Sequence, residues 1–479
     1  MELTSDMVFS APLFLFLLLP LALALHVALR KTRHLRNLLL LGISLVFYAW
    51  GEGYYVFLLL ISIVWNYLAG IAISYFPRKK LCLAFAIIGN LALLAYYKYA
   101  GFLIEGVNTL TSTAGYQPII QPYPIHLPIG LSFFTFQALS YLIDLYRKQI
   151  TVQKNPLNLA LYIALFPQLI AGPIVRYTDI ESALSSRRVD HDDIIYGMRR
   201  FIIGLSKKVL LADNLAIVSH YSFSTSPDLL TTPMAWFGLL CATLQLYFDF
   251  SGYSDMAIGL GRMFGFRFKE NFQHPFTATS MRNFWRKWHI SLSTWLRDYL
   301  YIPLGGNKCG ELRTWLNLFI VFFLCGLWHG ASWNFILWGL FQGTFMALER
   351  ALYPTKTGQF LSNNTPYLLR SVYVNLVFML ACVLFFSPDL ITAKLYYHTL
   401  LGQTDSLLFM DISPLLIIVL LSAIIGSTPI CLNFYNKHLH HSFPVAAALL
   451  RDTVLTFLLF LCLITSAAKT YVPFIYFRF

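Results

Sequence analysis

The stretch T-W-L-N-L-F-I-V-F-F-L-C-G-L-W-H-G-A-S-W-N-F-I-L-W-G-L-F-Q-G-T-F-M-A-L, residues Thr314–Leu348, decides the fold. It holds no Asp, Glu, Lys or Arg. Small residues, Gly326 and Gly330, flank the pair Trp328–His329 at its middle and allow another backbone to come close. A bilayer crossing takes ~20 apolar residues as helix. Both flanks of this stretch carry cytoplasmic-type charge: nine Lys/Arg against three Asp/Glu between Arg262 and Arg313, then Glu349, Arg350 and Lys356. The reading is a helical hairpin, 314–328 and 332–352, that dips into the membrane with His329 near its turn. An ionisable group at membrane depth is costly, so His329 is a functional candidate, as a general base in an apolar cavity. The plainer alternative is a structural histidine bonded to a neighbouring helix.

Just upstream stands R-N-F-W-R-K-W-H-I-S-L-S-T-W-L-R-D, Arg282–Asp298. At helical spacing, Arg282, Arg286, His289, Ser293 and Arg297 share one face, and Phe284, Trp288, Leu292, Trp295 and Tyr299 share the other. The expectation is one basic amphipathic helix on the cytoplasmic side. Arg282, Arg286 and Arg297 would bind the phosphates of a cofactor, and His289 would turn toward the reaction centre. A solvated polar face is the alternative for His289.

Working outward, the 479-residue chain is 57% hydrophobic and only 12% charged, against about 25% charged in soluble domains. Further apolar runs fall at 9–29, 37–50, 54–76, 81–104, 127–146, 157–175, 199–221, 233–253, 254–266, 371–388, 413–432 and 446–467. The fold class expected is all-α and polytopic, with about 10–13 membrane-embedded helices. The runs at 37–50, 157–175 and 254–266 are short enough to be tilted, re-entrant or buried in protein. Residues 106–126, 176–198 and 389–412 read as extramembrane links. The net charge of +13 lies in short loops, which fits cytoplasmic loops and anionic headgroups and excludes a nucleic-acid partner. Basic residues follow the first, third and fifth runs (Arg30 to Arg36, Arg78 to Lys80, Arg147 to Lys154) and are missing from the links between. That places the N-terminus periplasmic or extracellular. The first run lacks a basic n-region and is too long for a signal peptide, so it reads as a retained helix.

Asp249 and Asp255, in or beside apolar helix, read as structural ion-pair partners of Arg262 or another cation, or as acceptor-binding groups. Phe166–Tyr177, F-P-Q-L-I-A-G-P-I-V-R-Y, breaks helix at Pro167 and Gly172–Pro173, which suits a tunnel wall or a plain kink. The seven cysteines have no metal or disulfide spacing and read as buried small hydrophobes. His438, His440 and His441 read as a solvated loop, and no metal site is expected. Walker, Rossmann, HExxH and GxSxG motifs are absent.

Five stretches together resemble the membrane-bound O-acyltransferase family in its bacterial polysaccharide branch. They are Pro128–Gln137 (P-I-G-L-S-F-F-T-F-Q), Phe166–Ile174, Tyr247–Gly259 (Y-F-D-F-S-G-Y-S-D-M-A-I-G), Asn283–Gly306 and Leu327–Trp333 (L-W-H-G-A-S-W). The closing P-F-I-Y-F-R-F is similar to the same branch. The resemblance implies one membrane domain over 1–479, with N-terminal helices 1–127, a motif-bearing core 128–345 and C-terminal helices 346–479, built around a central tunnel. It places the family's invariant histidine at His329 and the branch's second histidine at His289. Trp328 and Asn283, inside the same motifs, join Asp249 and Asp255 as further candidates. It further implies no permanently bound cofactor. The acyl donor would be cytoplasmic acetyl-CoA and the partner a periplasmic acetyltransferase. The final acceptor would be an extracytoplasmic polysaccharide, alginate first, and the location the bacterial inner membrane. Peptidoglycan or other exopolysaccharide acetylation, D-alanyl transfer to teichoic acid, and a proton-coupled transporter or flippase are the competing readings.

Overall fold

The computed structural model describes residues 9–117, 121, 124–402, 410–468 and 474. Most of the closing P-F-I-Y-F-R-F and the first eight residues lie outside them. Among the described residues every regular element is helical. The chain forms two compact units, 1–198 with 257–269, and 199–256 with 270–479.

The first unit begins with α1 (Leu19–Ala28), α2 (Arg33–Glu52), α3 (Val56–Tyr75), α4 (Lys79–Leu94) and α5 (Ala100–Thr113). It continues through α6 (Leu131–Tyr146), α7 (Pro156–Ala164), α8 (Phe166–Leu169) and α9 (Tyr177–Ser185). α2 buries Asn37, Leu40, Leu41, Ser44, Phe47 and Tyr48, an i, i+3, i+4, i+7 stripe. That stripe packs on α7 and α8, which are wholly buried at the break between them. Here Ser44 Oγ accepts from the Phe166 amide at 3.1 Å, and the Gln168 side chain donates to the Tyr162 carbonyl at 2.5 Å. A Cβ on Gly172 would stand 2.7 Å from the Pro167 carbonyl oxygen, so only glycine lets the chain fold back so closely. The 157–175 run is therefore a broken segment buried in protein.

α10 (His191–Ser206) and α12 (Thr232–Met263) pass from one unit into the other, with α11 (Asp213–Ser224) between them. α12 is one 32-residue helix, so the expected boundary between the 233–253 and 254–266 runs does not exist. Gly252 is tolerated inside the helix because it packs against the Gly204 backbone.

The second unit adds α13 (Met281–Lys287), α14 (Ile290–Leu296), α15 (Glu311–His329), α16 (Trp333–Leu352), α17 (Lys356–Asn364) and α18 (Tyr367–Phe386). It closes with α19 (Leu390–Leu400), α20 (Pro414–Gly426), α21 (Ile430–Phe434) and α22 (Pro444–Ala468). The single amphipathic helix expected over Arg282–Asp298 is two short helices, broken at Trp288–His289. The expected link 176–198 is largely helical, in α9 and α10, and the described part of 389–412 includes α19.

Five helical stretches are long and apolar enough to cross a membrane: Arg33–Tyr75, Lys79–Thr113, Glu311–His329, Tyr367–Phe386 and Pro444–Ala468. A sixth arises if Pro414–Gly426 and Ile430–His440, bent by 66°, form one span. Several other apolar runs are short or interrupted and are buried in protein rather than exposed. The outer faces are apolar: Phe57, Ile61, Val64 and Leu68 on α3, and Leu450, Val454, Phe457 and Phe460 on α22, are exposed. Such surfaces are stable against lipid and not against water.

Candidate functional site

The site lies within the second unit. α13 starts where Ser280 Oγ accepts from the Asn283 amide at 3.1 Å and the Glu349 carboxylate accepts from the Met281 amide at 2.7 Å. These contacts satisfy the open N–H groups of the first turn. After Lys287 the chain extends at Trp288 and enters the left-handed region at His289, φ +42°. For a non-glycine residue this costs on the order of 1 kcal/mol. Two main-chain bonds from the preceding loop hold it there. The Gln273 amide donates to the Lys287 carbonyl at 3.0 Å, and the Ile290 amide donates to the Asn271 carbonyl at 2.9 Å.

The break turns His289 inward. It is 1% exposed, which fits the inward-turned reading and not the alternative of a solvated polar face. The apolar face holds as expected: Phe284, Trp288, Leu292, Trp295 and Tyr299 are all buried. Arg282, Arg286 and Arg297 are exposed. Arg297 bonds Asp298 at 2.6 Å, and Asn283 is half-buried with its main chain in the cap.

α15 and α16 form the hairpin, and His329 is the last residue of α15. The helices approach closely because Gly326 faces the Phe335 carbonyl and Gly339 faces the Phe322 carbonyl. At the start of α16 the Asn334 side chain donates to the Ser387 carbonyl at 2.8 Å. That contact brings the end of α18 beside the turn.

An aromatic enclosure results. The His329 ring lies 4.8 Å from Trp338, 5.0 Å from Trp328 and 5.5 Å from Phe385, centroid to centroid. The His289 ring lies 4.6 Å from Phe250 and 5.9 Å from Trp328. Trp328 thus touches both imidazoles, which cannot be farther apart than those two separations placed end to end. Burial, then the nearby His329, holds the His289 imidazole well below its ordinary pKa, because the charged form loses hydration and meets like charge. His289 is therefore neutral at pH 7.

Asp249 and Asp255 are held in ion pairs. Lys208 Nζ lies 2.6 Å from Asp249 and 2.9 Å from Asp213. Asp255 meets Arg200 at 2.6 Å and Lys207 at 2.7 Å. The cations come from α10 and the turn after it and not from Arg262, which pairs with Asp193 at 2.5 Å in the first unit. His438, His440 and His441 are exposed at the end of the bent α20–α21 pair. Asn271, Phe272, Trp338 and Phe385 belong to the enclosure and carried no sequence signal beyond their apolar or polar type, and Phe250 lay inside the Tyr247–Gly259 stretch without being singled out. Most of their contacts join positions far apart in the sequence, while Trp338 meets His329 across the hairpin turn.

A helical membrane protein that buries two imidazoles against a shared indole has the parts of a membrane enzyme using acid–base chemistry. The profile of MBOAT, the membrane-bound O-acyltransferase family, matches residues 140–387. The "Probable alginate O-acetylase AlgI" of Pseudomonas putida is 46% identical over 350 residues, 72% of this chain and 71% of that one. Its Pseudomonas aeruginosa namesake is 41% identical over 455 residues, 92% of this chain and 85% of that one. The "Peptidoglycan O-acetyltransferase" of Helicobacter pylori is 37% identical over 378 residues, 72% of this chain and 71% of that one. The chain belongs to the membrane-bound O-acyltransferase family and is a multipass membrane O-acyltransferase.

Proposed function

We propose that this enzyme takes an acetyl group from acetyl-CoA on the cytoplasmic side and passes it across the bacterial inner membrane toward O-acetylation of an extracytoplasmic polysaccharide, alginate. The observation that carries the chemistry is the pair of buried imidazoles, His289 and His329, on one indole. The relatives named as alginate O-acetylases support the acceptor. In this reading a nitrogen of His329 takes the proton of the acceptor hydroxyl. The oxygen attacks the thioester carbonyl, the C–S bond breaks, and the leaving thiolate receives a proton. His289 orients the acceptor. Arg282 and Arg286 meet the donor's phosphates as exposed charges of opposite sign. Arg297, already bonded to Asp298, contributes less. A conduit between the two faces spares the charged cofactor a passage through lipid, and a periplasmic acetyltransferase partner completes delivery. The N-terminus is periplasmic in this arrangement.

A second acceptor, peptidoglycan, is favoured by the Helicobacter relative. Purified protein in proteoliposomes, given acetyl-CoA labelled in the acetyl group, tests the donor. The reading predicts labelled ester and released CoA in proportion. Transport of intact solute with no CoA release would instead establish a transporter. Alginate and peptidoglycan fragments offered in parallel, with the periplasmic partner present, separate the acceptors.

A further inference from the structure

Asn271 is fully buried beside the break that presents His289. Its side-chain oxygen accepts from the Ser291 amide at 3.1 Å and the Ser291 hydroxyl at 2.9 Å. A main-chain amide can only donate, so the atom facing it is the oxygen and the assignment of the carboxamide is fixed. The carboxamide nitrogen then donates to Ser254 Oγ at 3.0 Å. His289 Nδ1 lies 3.3 Å from the same oxygen. An oxygen there requires a proton on Nδ1. In a neutral imidazole Nε2 then carries the lone pair. Nε2 lies on the opposite side of the ring from Asn271. It is buried, and no hydrogen-bond partner reaches it among the described residues.

We propose that Asn271 is a positioning residue of this acyltransferase: it locks His289 as the Nδ1–H tautomer, so that a bare Nε2 accepts a hydrogen bond from an O–H or N–H on the acyl acceptor. This rests on the reading of His289 as an acceptor-orienting group. Left-handed backbone at His289 and the Asn271 carbonyl bond to Ile290 aim the ring through the same residue. The groups packed on His289 from α12, the 271–274 loop and α15 are the uncharged rings of Phe250, Phe272 and Trp328. His329 is the titratable group that acts on it. Asp255, next to Ser254, is neutralised by Arg200 and Lys207.

The test compares the wild-type enzyme, N271V and N271D in detergent, with labelled acetyl-CoA, across pH 5 to 9. N271V removes the acceptor from Nδ1, and kcat should fall about 10–100-fold with little change in the donor KM, as supporting partners of oriented histidines do. N271D keeps an oxygen toward Ser291 and His289 but adds charge, which favours protonated His289. The acid limb of its rate profile should move up by about one pH unit or more. A merely structural asparagine would not move that limb. An N271D profile superimposed on the wild type, or N271V keeping more than half of kcat, overturns the proposal. If N271V is not recovered from membranes, the N271D profile decides alone. If the wild-type enzyme itself transfers nothing from acetyl-CoA, the donor reading fails instead. The same profiles are then run with an acyl-carrier-protein thioester.

Discussion

The indole of Trp328 lies 5.9 Å from the imidazole of His289, tilted by 56°, although the two residues come from different segments of the chain. One sits at the end of α15 and the other in the break between α13 and α14. This contact joins the hairpin to the broken basic segment and makes a single site of two separate motifs. Hairpin packing and the 271–273 clamp must therefore both be intact for the imidazoles to share it.

Hairpin closeness gives the first prediction. Gly326→Ala would drive a Cβ into the Phe335 carbonyl, and backbone cannot yield as a side-chain tip can. The variant should lose several kcal/mol, within the range of severe core lesions, and its membrane level should fall sharply. Gly42→Ala, on α2 with nothing within 4 Å of the new Cβ, should be neutral or gain up to about 1 kcal/mol. Thermal melts followed by fluorescence size-exclusion check both.

Asp249→Asn should act on stability and not on chemistry. Lys208 is 2% exposed and leans on Asp249 and Asp213. Removing one partner of a buried pair costs about 3–5 kcal/mol. The expected outcome is a lower yield and melting temperature with an unchanged donor KM in the protein that survives. A raised KM at normal stability would give Asp249 a substrate role.

Arg286→Glu should raise the KM for acetyl-CoA more than it lowers kcat. Arg286 is exposed on α13, a position that suits encounter with and holding of a charged donor. Arg297→Glu should do less, since Arg297 already bonds Asp298 at 2.6 Å. Cysteine labelling that placed position 286 outside the cell would contradict both parts.

The apolar face of Arg282–Asp298 was legible because helical periodicity survives a two-residue break. Phe284 before it, Trp288 within it, and Leu292 and Trp295 after it all stay buried. The break itself was not legible. No Gly or Pro marks Trp288–His289, and the bonds that hold it come from Asn271 and Gln273 in another segment. The hairpin was legible from Gly326 and Gly330. The ion-pair partners of Asp249 and Asp255 were not, because Lys208 and Lys207 lie far away in sequence.

Stability should also depend on pH through His289. An unfolded imidazole titrates near 6.5, and burial, then the neighbouring His329, holds the folded value well below that. Between those values the unfolded chain binds the extra proton. The stability contribution is complete above pH 6.5 and is lost as pH falls below it. Melting temperature should drop from pH 7 to pH 5, and His289→Asn should drop less. His274, also depressed by burial, is common to both proteins and cancels in the difference, which reports His289 together with its interaction with His329. Equal slopes would contradict the assignment.

The central claim is that His329 is the base. Its most direct test is the initial rate of acetyl transfer from labelled acetyl-CoA by purified His329→Ala, beside wild type and His289→Ala, at matched folded protein. Losing a general base costs about 10²–10⁴-fold. The account predicts a fall in that range for His329→Ala and a smaller fall for His289→Ala. His329→Ala retaining more than about a tenth of the wild-type rate would contradict it.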